Sequence, residues 1–243
     1  MSPIDAELFT FVAGERNHFS GDDNNKFAMA FGQIIRYRSF LIIINERYER
    51  CNARFSELME MQKTLFAPPG GSVNIEQAAW LDENAELNKC IQLEIETYYL
   101  FAKILLDRIA HFLEYFFCPE RRLSFDSHDQ MTKCFRTYCE AKELMDFEKM
   151  ENRLTSLKTD IADFRDYQIA HEKSPRTMRG ISFTGSGNTS IISTKLYPKE
   201  TDEQVQSKNL GKLEEDLLLY LKEVMSLIQA NRNKTKLKLK GVA

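Results

Sequence analysis

Residues that break helices are scarce in this chain: glycine occurs 10 times and proline 6 times in 243 residues, well under the roughly 12% of average composition. With 43% hydrophobic residues, that composition excludes disorder and collagen-like repeats. It favours an all-α protein. Neither sign of charge dominates. With 33 basic and 36 acidic side chains the formal charge is -3, which rules out a wholesale cationic surface and makes any nucleic-acid contact local. The most apolar run, Phe40 to Ile44, has Arg36, Arg38, Glu46 and Arg47 beside it and is far shorter than the roughly 20 residues of a membrane span. The amino-terminal MSPIDAELF has no basic region followed by an apolar stretch and cleavage site, so a cytoplasmic chain without membrane contact is expected. Five cysteines, an odd number without a C-x-x-C pair, suit buried thiols in a reducing compartment better than disulfides or thiolate zinc. No G-x-x-x-x-G-K-[ST] loop is present, and Gly185-Ser186-Gly187 lacks the strand-to-helix setting of a dinucleotide site, so no cofactor is expected.

What is there is helical periodicity. A long first helix is expected from Asn25 to Phe66, with Phe27, Phe31, Ile34, Leu41, Tyr48, Phe55 and Leu58 on its apolar face. Pro68-Pro69-Gly70-Gly71 ends it. The second, Ile75 to Phe117, carries a heptad seam of Ile91, Ile95, Tyr98, Ala102, Leu105, Ile109, Phe112 and Phe116. A third is expected from Asp129 to His171, with a stripe of Leu144, Phe147, Met150, Leu154, Leu157, Ile161 and Phe164, and a fourth from Asp202 to Gln229. Between Gly180 and Pro198, β-branched residues surround a glycine turn, which reads as a small hairpin or ordered loop. The sequence thus predicts an antiparallel helical bundle of long helices with a small β-hairpin or ordered-loop insertion before the last helix. Residues 1–70 form an N-terminal helical extension packing on the bundle, 71–230 the bundle, and 231–243 a flexible basic tail with Arg232, Lys234, Lys236, Lys238 and Lys240.

The candidate chemistry lies in Asp163-Phe164-Arg165-Asp166-Tyr167-Gln168-Ile169-Ala170-His171. RNA cleavage needs no metal where a base takes the proton of the attacking 2′-hydroxyl and a cation stabilises the charge developing on the phosphate. His171 suits the proton transfer, Arg165 the phosphate, and Asp166 can orient either. On a continuous helix six residues turn by about 600° and rise about 9 Å, so Arg165 and His171 point about 120° apart. Convergence then needs a bent helix end or a second copy across a two-fold axis, which implies a homodimer. Lys173, Arg176 and Arg179 follow as a local basic patch for an RNA backbone. The competing reading puts His171 seven residues beyond Phe164, at the edge of the core. A face of Asp107, His111 and Glu114 has helical spacing suited to metal ligands, but no matching second set stands on the third helix, so no metal site is expected.

In Arg165-Asp166-x4-His171 the chain resembles the HEPN superfamily, helical bundles with an R-x(4 to 6)-H motif in which Asn, Asp or His often follows the arginine. The likeness covers Ile75 to Gln229. It implies a metal-independent endoribonuclease of toxin-antitoxin or abortive-infection systems, with Arg165, Asp166 and His171 as its catalytic residues. It also implies dimerisation about a shared cleft, and an antitoxin or regulatory protein as a further partner. Lys173 stands where HEPN toxins modified by nucleotidyltransferase antitoxins carry tyrosine, and the helix before Pro68 exceeds a minimal HEPN domain. The alternative is a non-catalytic scaffold or RNA- or protein-binding module of the same fold, with the heptad seam as its contact surface.

Overall fold

The computed structural model describes residues 3–66, 73–170, 177–183, 189–195 and 205–241. The protein is all-α with a small antiparallel β-hairpin before its last helix. The helices are α1 (Pro3–Glu15), α2 (Asp22–Leu65), α3 (Ile75–Phe117), α4 (His128–Ala141), α5 (Glu148–Leu157) and α6 (Leu210–Ala230). The hairpin pairs β1 (Thr177–Phe183) with β2 (Thr189–Lys195), and a two-residue β3 (Val205–Gln206) adds to the far side of β2. The heptad seam of α3 is buried from Ile91 to Phe116. It is filled by the protein's own side chains, with Phe112 edge-on to Phe27 and Phe31 at 5.8 and 5.1 Å, so it does not serve as an exposed contact surface.

Contacts divide the chain into two compact units, one of Met1–Phe40, Leu100–Phe164 and Gly211–Ala243, the other of Leu41–Tyr99 and Arg165–Leu210. The division crosses α2 and α3 rather than falling near residue 70, where the sequence placed a boundary. In the first unit, Phe19, Phe27, Phe31, Phe112 and Phe116 form a fully or almost fully buried aromatic cluster. α1, which periodicity did not reveal, contributes Phe11 to it, 5.2 Å from Phe31. α2 contains a window long and apolar enough to cross a bilayer by composition, although its longest apolar run is short. Phe27, Phe31 and Ile34 of that helix are buried in the protein, and Arg38 is buried against Glu214 at 2.5 Å.

The expected third helix is broken. Glu143 and Asp146 adopt left-handed backbone angles (φ 51° and 61°), and the fully buried Asn231 clamps the break. Its Oδ1 accepts the Met145 N–H at 2.7 Å, and its Nδ2 donates to the Met145 carbonyl at 2.9 Å. The tail is not free over its described residues. Arg232 pairs with Glu15, Lys234 with Glu143 at 2.6 Å, and the Lys236 ammonium lies 4.2 Å from the Tyr115 ring centre. Lys236 N–H donates to Phe116, Lys240 N–H to His18, and Lys238 N–H to the Asp23 carboxylate. Leu237 is buried.

In the second unit the C-terminal part of α2 runs antiparallel to the N-terminal part of α3. Trp80 donates its indole N–H to the Leu58 carbonyl at 2.9 Å. α3 begins with a reciprocal cap, Gln77 N–H to Asn74 Oδ1 (2.8 Å) and Asn74 N–H to Gln77 Oε1 (3.0 Å), which satisfies two backbone donors at once. The hairpin docks through Thr189, whose hydroxyl donates to Asn52 Oδ1 at 3.0 Å and lies 2.9 Å from the Tyr48 hydroxyl. Phe183 packs edge-on to Phe55 at 5.6 Å.

Candidate active site

The segment carrying Arg165 leaves regular helical geometry. After α5 the backbone opens into wide turns with i to i+5 hydrogen bonding over Lys158–Asp163 and again over Arg165–Ala170. Such turns are rare and are frequent at functional sites. A local cause is visible just upstream. The hydroxyls of Thr155 and Thr159 donate to carbonyls four residues back, at 3.4 and 3.5 Å, and this back-bonding competes with the helical ladder.

Arg165 and Asp166 are brought together in the second unit. Nε of Arg165 lies 3.0 Å from Oδ1 of Asp166, with the side chains 24% and 30% exposed. The angle does not make this ion pair a hydrogen bond, so both atoms are buried without a hydrogen-bond partner among the described residues. Since Nε is buried, the exposed part of the arginine lies elsewhere in its side chain. An anion reaching that part would meet a guanidinium whose orientation Asp166 already biases. His171 follows Ala170 directly in sequence, and His171, Lys173 and Arg176 lie outside the described residues. Arg179 sits in β1 opposite Ser193, and its side chain is likewise outside the description.

A second group of titratable side chains, which sequence reasoning passed over, lies in the first unit. His128 opens α4 and is fully buried. Its backbone N–H donates to Asp107 Oδ1 at 2.8 Å, and the same oxygen takes the ammonium of buried Lys103 at 2.7 Å. Asp129 lies 3.8 Å from Lys103. The imidazole stands edge-on to the Tyr220 ring at 6.1 Å. Neither ring nitrogen, nor the Tyr220 hydroxyl, has a hydrogen-bond partner among the described residues. Burial, reinforced by the Lys103 charge, pushes the His128 pKa down to about 3, and burial raises that of the Tyr220 phenol. A histidine closed to solvent cannot meet an RNA phosphate, so this group belongs to the interior.

The Asp107, His111 and Glu114 face is engaged in holding the loop that follows α3. Asp107 receives His128 N–H, and Glu114 receives Phe125 N–H at 3.1 Å. His111 Nε2 lies 2.7 Å from the Asp126 carbonyl, a partner that can only accept, so this nitrogen carries the proton. Among the described residues no group of three or more His, Cys, Asp or Glu side chains is placed to hold a metal ion. Comparison of the chain with protein-family models, with curated proteins and with solved structures finds no match.

Proposed function

We propose that the protein is a HEPN-like endoribonuclease that cuts RNA by attack of the neighbouring 2′-hydroxyl, without a metal. Arg165 binds the scissile phosphate, His171 transfers the proton and Asp166 orients the guanidinium. Lys173, Arg176 and Arg179 track the RNA backbone. The observation that carries this reading is the partly exposed Arg165–Asp166 ion pair at 3.0 Å, set in wide helical turns that end at Ala170, the residue before His171 in the sequence. Asp166 holds the Arg165 guanidinium by this ion pair while part of the arginine side chain stays open to a phosphate. The helical-bundle class, shared with the superfamily that the motif resembles, is a second support.

The proposal includes a homodimer that faces two motifs across one cleft, in the cytoplasm and under the control of an antitoxin or regulatory protein. Its test is incubation of the protein with mixed RNA in excess EDTA. Products ending in 2′,3′-cyclic phosphate are expected. His171→Ala should lower the rate by about 10²- to 10⁴-fold, and Arg165→Ala by about 10²- to 10³-fold. A folded protein that leaves all RNAs intact, or variants as active as the parent, would overturn the reading.

A further inference from the structure

Three contacts set the register of α2 against α3 in the second unit: Arg47 to Glu94 and Arg54 to Glu83, each at 2.6 Å, and Trp80 to Leu58. Position 51 lies between the two arginines on α2, and position 90 between their two partners on α3. Both positions are cysteine. The antiparallel register therefore sets the two thiols at one level of the helix pair, one turn from the Arg47–Glu94 contact on each helix, with Cys90 exposed and Cys51 half-buried. We propose that Cys51 and Cys90 are an oxidisable pair, a modification site at which a hydroperoxide converts two thiols into a disulfide that clamps α2 to α3.

The two cysteines divide the work by their surroundings. Cys90 is open to solvent, so the peroxide meets it first. Burial raises the pKa of the Cys51 thiol, and the charge of Glu94 adds to this while Arg47 opposes it, so Cys51 is the poorer first nucleophile. The Cys90 thiolate attacks one peroxide oxygen, the O–O bond breaks, and the other oxygen leaves as water after taking up the thiol proton. Cys90 is then a sulfenic acid. Cys51 loses its proton, its sulfur attacks the Cys90 sulfur, and the S–O bond breaks with release of a second water. Two thiols and one hydrogen peroxide thus give one disulfide and two waters, the sulfurs losing the two electrons that the peroxide gains. A disulfide holds its two Cα atoms about 4.4–6.8 Å apart, so closure fixes the spacing of the helices at this level, between two existing ion pairs.

The test is treatment of the reduced, full-length protein with stoichiometric hydrogen peroxide, alkylation of remaining thiols, and peptide mapping without reductant. The expected product is a Cys51–Cys90 linked peptide pair, two hydrogens lighter than the separate peptides. It should occur in a monomeric band on a non-reducing gel, disappear with dithiothreitol, and raise the midpoint of thermal unfolding. In Cys51→Ser, checked for folding by circular dichroism, Cys90 should instead be trapped as a sulfenic acid by dimedone. Three results would overturn the proposal: Cys90 joined to Cys90 of another chain, Cys90 over-oxidised to sulfinic acid while Cys51 stays a free thiol, or both thiols unchanged in excess peroxide. The mapping of the unmodified sequence decides the matter even if the variant fails to fold.

Discussion

A neutral imidazole enclosed as His128 is makes folding sensitive to acid. In the unfolded chain its pKa is about 6.5, and in the fold it is pushed down to about 3. As the pH falls below the first value the unfolded state takes up a proton that the folded state refuses. The contribution is therefore complete above about pH 6.5 and is lost progressively toward pH 3, at up to about 1.4 kcal/mol per pH unit. Urea titrations at pH 7 and pH 5 should show a loss of stability on acidification that is clearly smaller in His128→Leu, and equal losses would refute this. Because the ring nitrogens have no partners to orphan, the leucine variant should be close to parental stability at pH 7. Asn231 is the opposite case, since removing its amide strands the Met145 N–H and carbonyl. Asn231→Ala should cost about 3 kcal/mol, read as a lower urea midpoint. Neither role was legible in the sequence. His128 follows a loop and belongs to no stripe, and Asn231 stood in what reads as a loose tail. Arg165 and Asp166 were legible because adjacent residues need no fold to meet. The Cys51–Cys90 pair was not, because their meeting depends on the register of two different helices.

Elements were read best where periodicity is long. Ile75 and Phe117, the limits expected for α3 from sequence, are also its limits in the structure, because an apolar seam and a Pro119 terminator are local signals. The reciprocal Asn74–Gln77 cap is local as well, and Asn74→Ala should destabilise the protein by about 1 kcal/mol, measurable as a shift in the urea midpoint. The break between α4 and α5 was hidden because the residues at 142–147 carry no glycine or proline, and the clamp that holds the break open lies 86 positions away. α1 escaped notice for a related reason: its apolar residues do not gather on one face. The carboxy-terminal segment offers a sharper check. Deleting residues 235–243 removes the buried Leu237 and the bonds to Phe116, Asp23 and His18. A loss of several kcal/mol is expected by burial and hydrogen-bond energetics, roughly 2–3 of it from the leucine. A truncated protein with unchanged thermal midpoint would show that segment to be dispensable.

At the scale of the whole molecule, the fold class followed from what the sequence has little of, glycine and proline, and from the length of its amphipathic stretches. The division into units did not, because continuous helices give no compositional sign at Phe40 or Tyr99, where contacts change partners. The dimer in the proposed mechanism is open to a direct measurement. Light scattering on the eluting protein should give twice the 28.3 kDa chain mass, and a monomer active on RNA would remove the need for a shared cleft. The pairing of the carboxy-terminal segment with the start of the chain also bears on how the protein is made. Ser20 bonds to Lys238, 218 positions later, and Phe19 bridges to Leu239. At the usual pace of synthesis, about 5–20 residues per second, the ribosome delivers that partner about 10 to 40 s after Ser20 is polymerised. Until then the bridge partner of Phe19 is missing from every nascent chain, so the segment around Phe19 is one that a holding chaperone can protect.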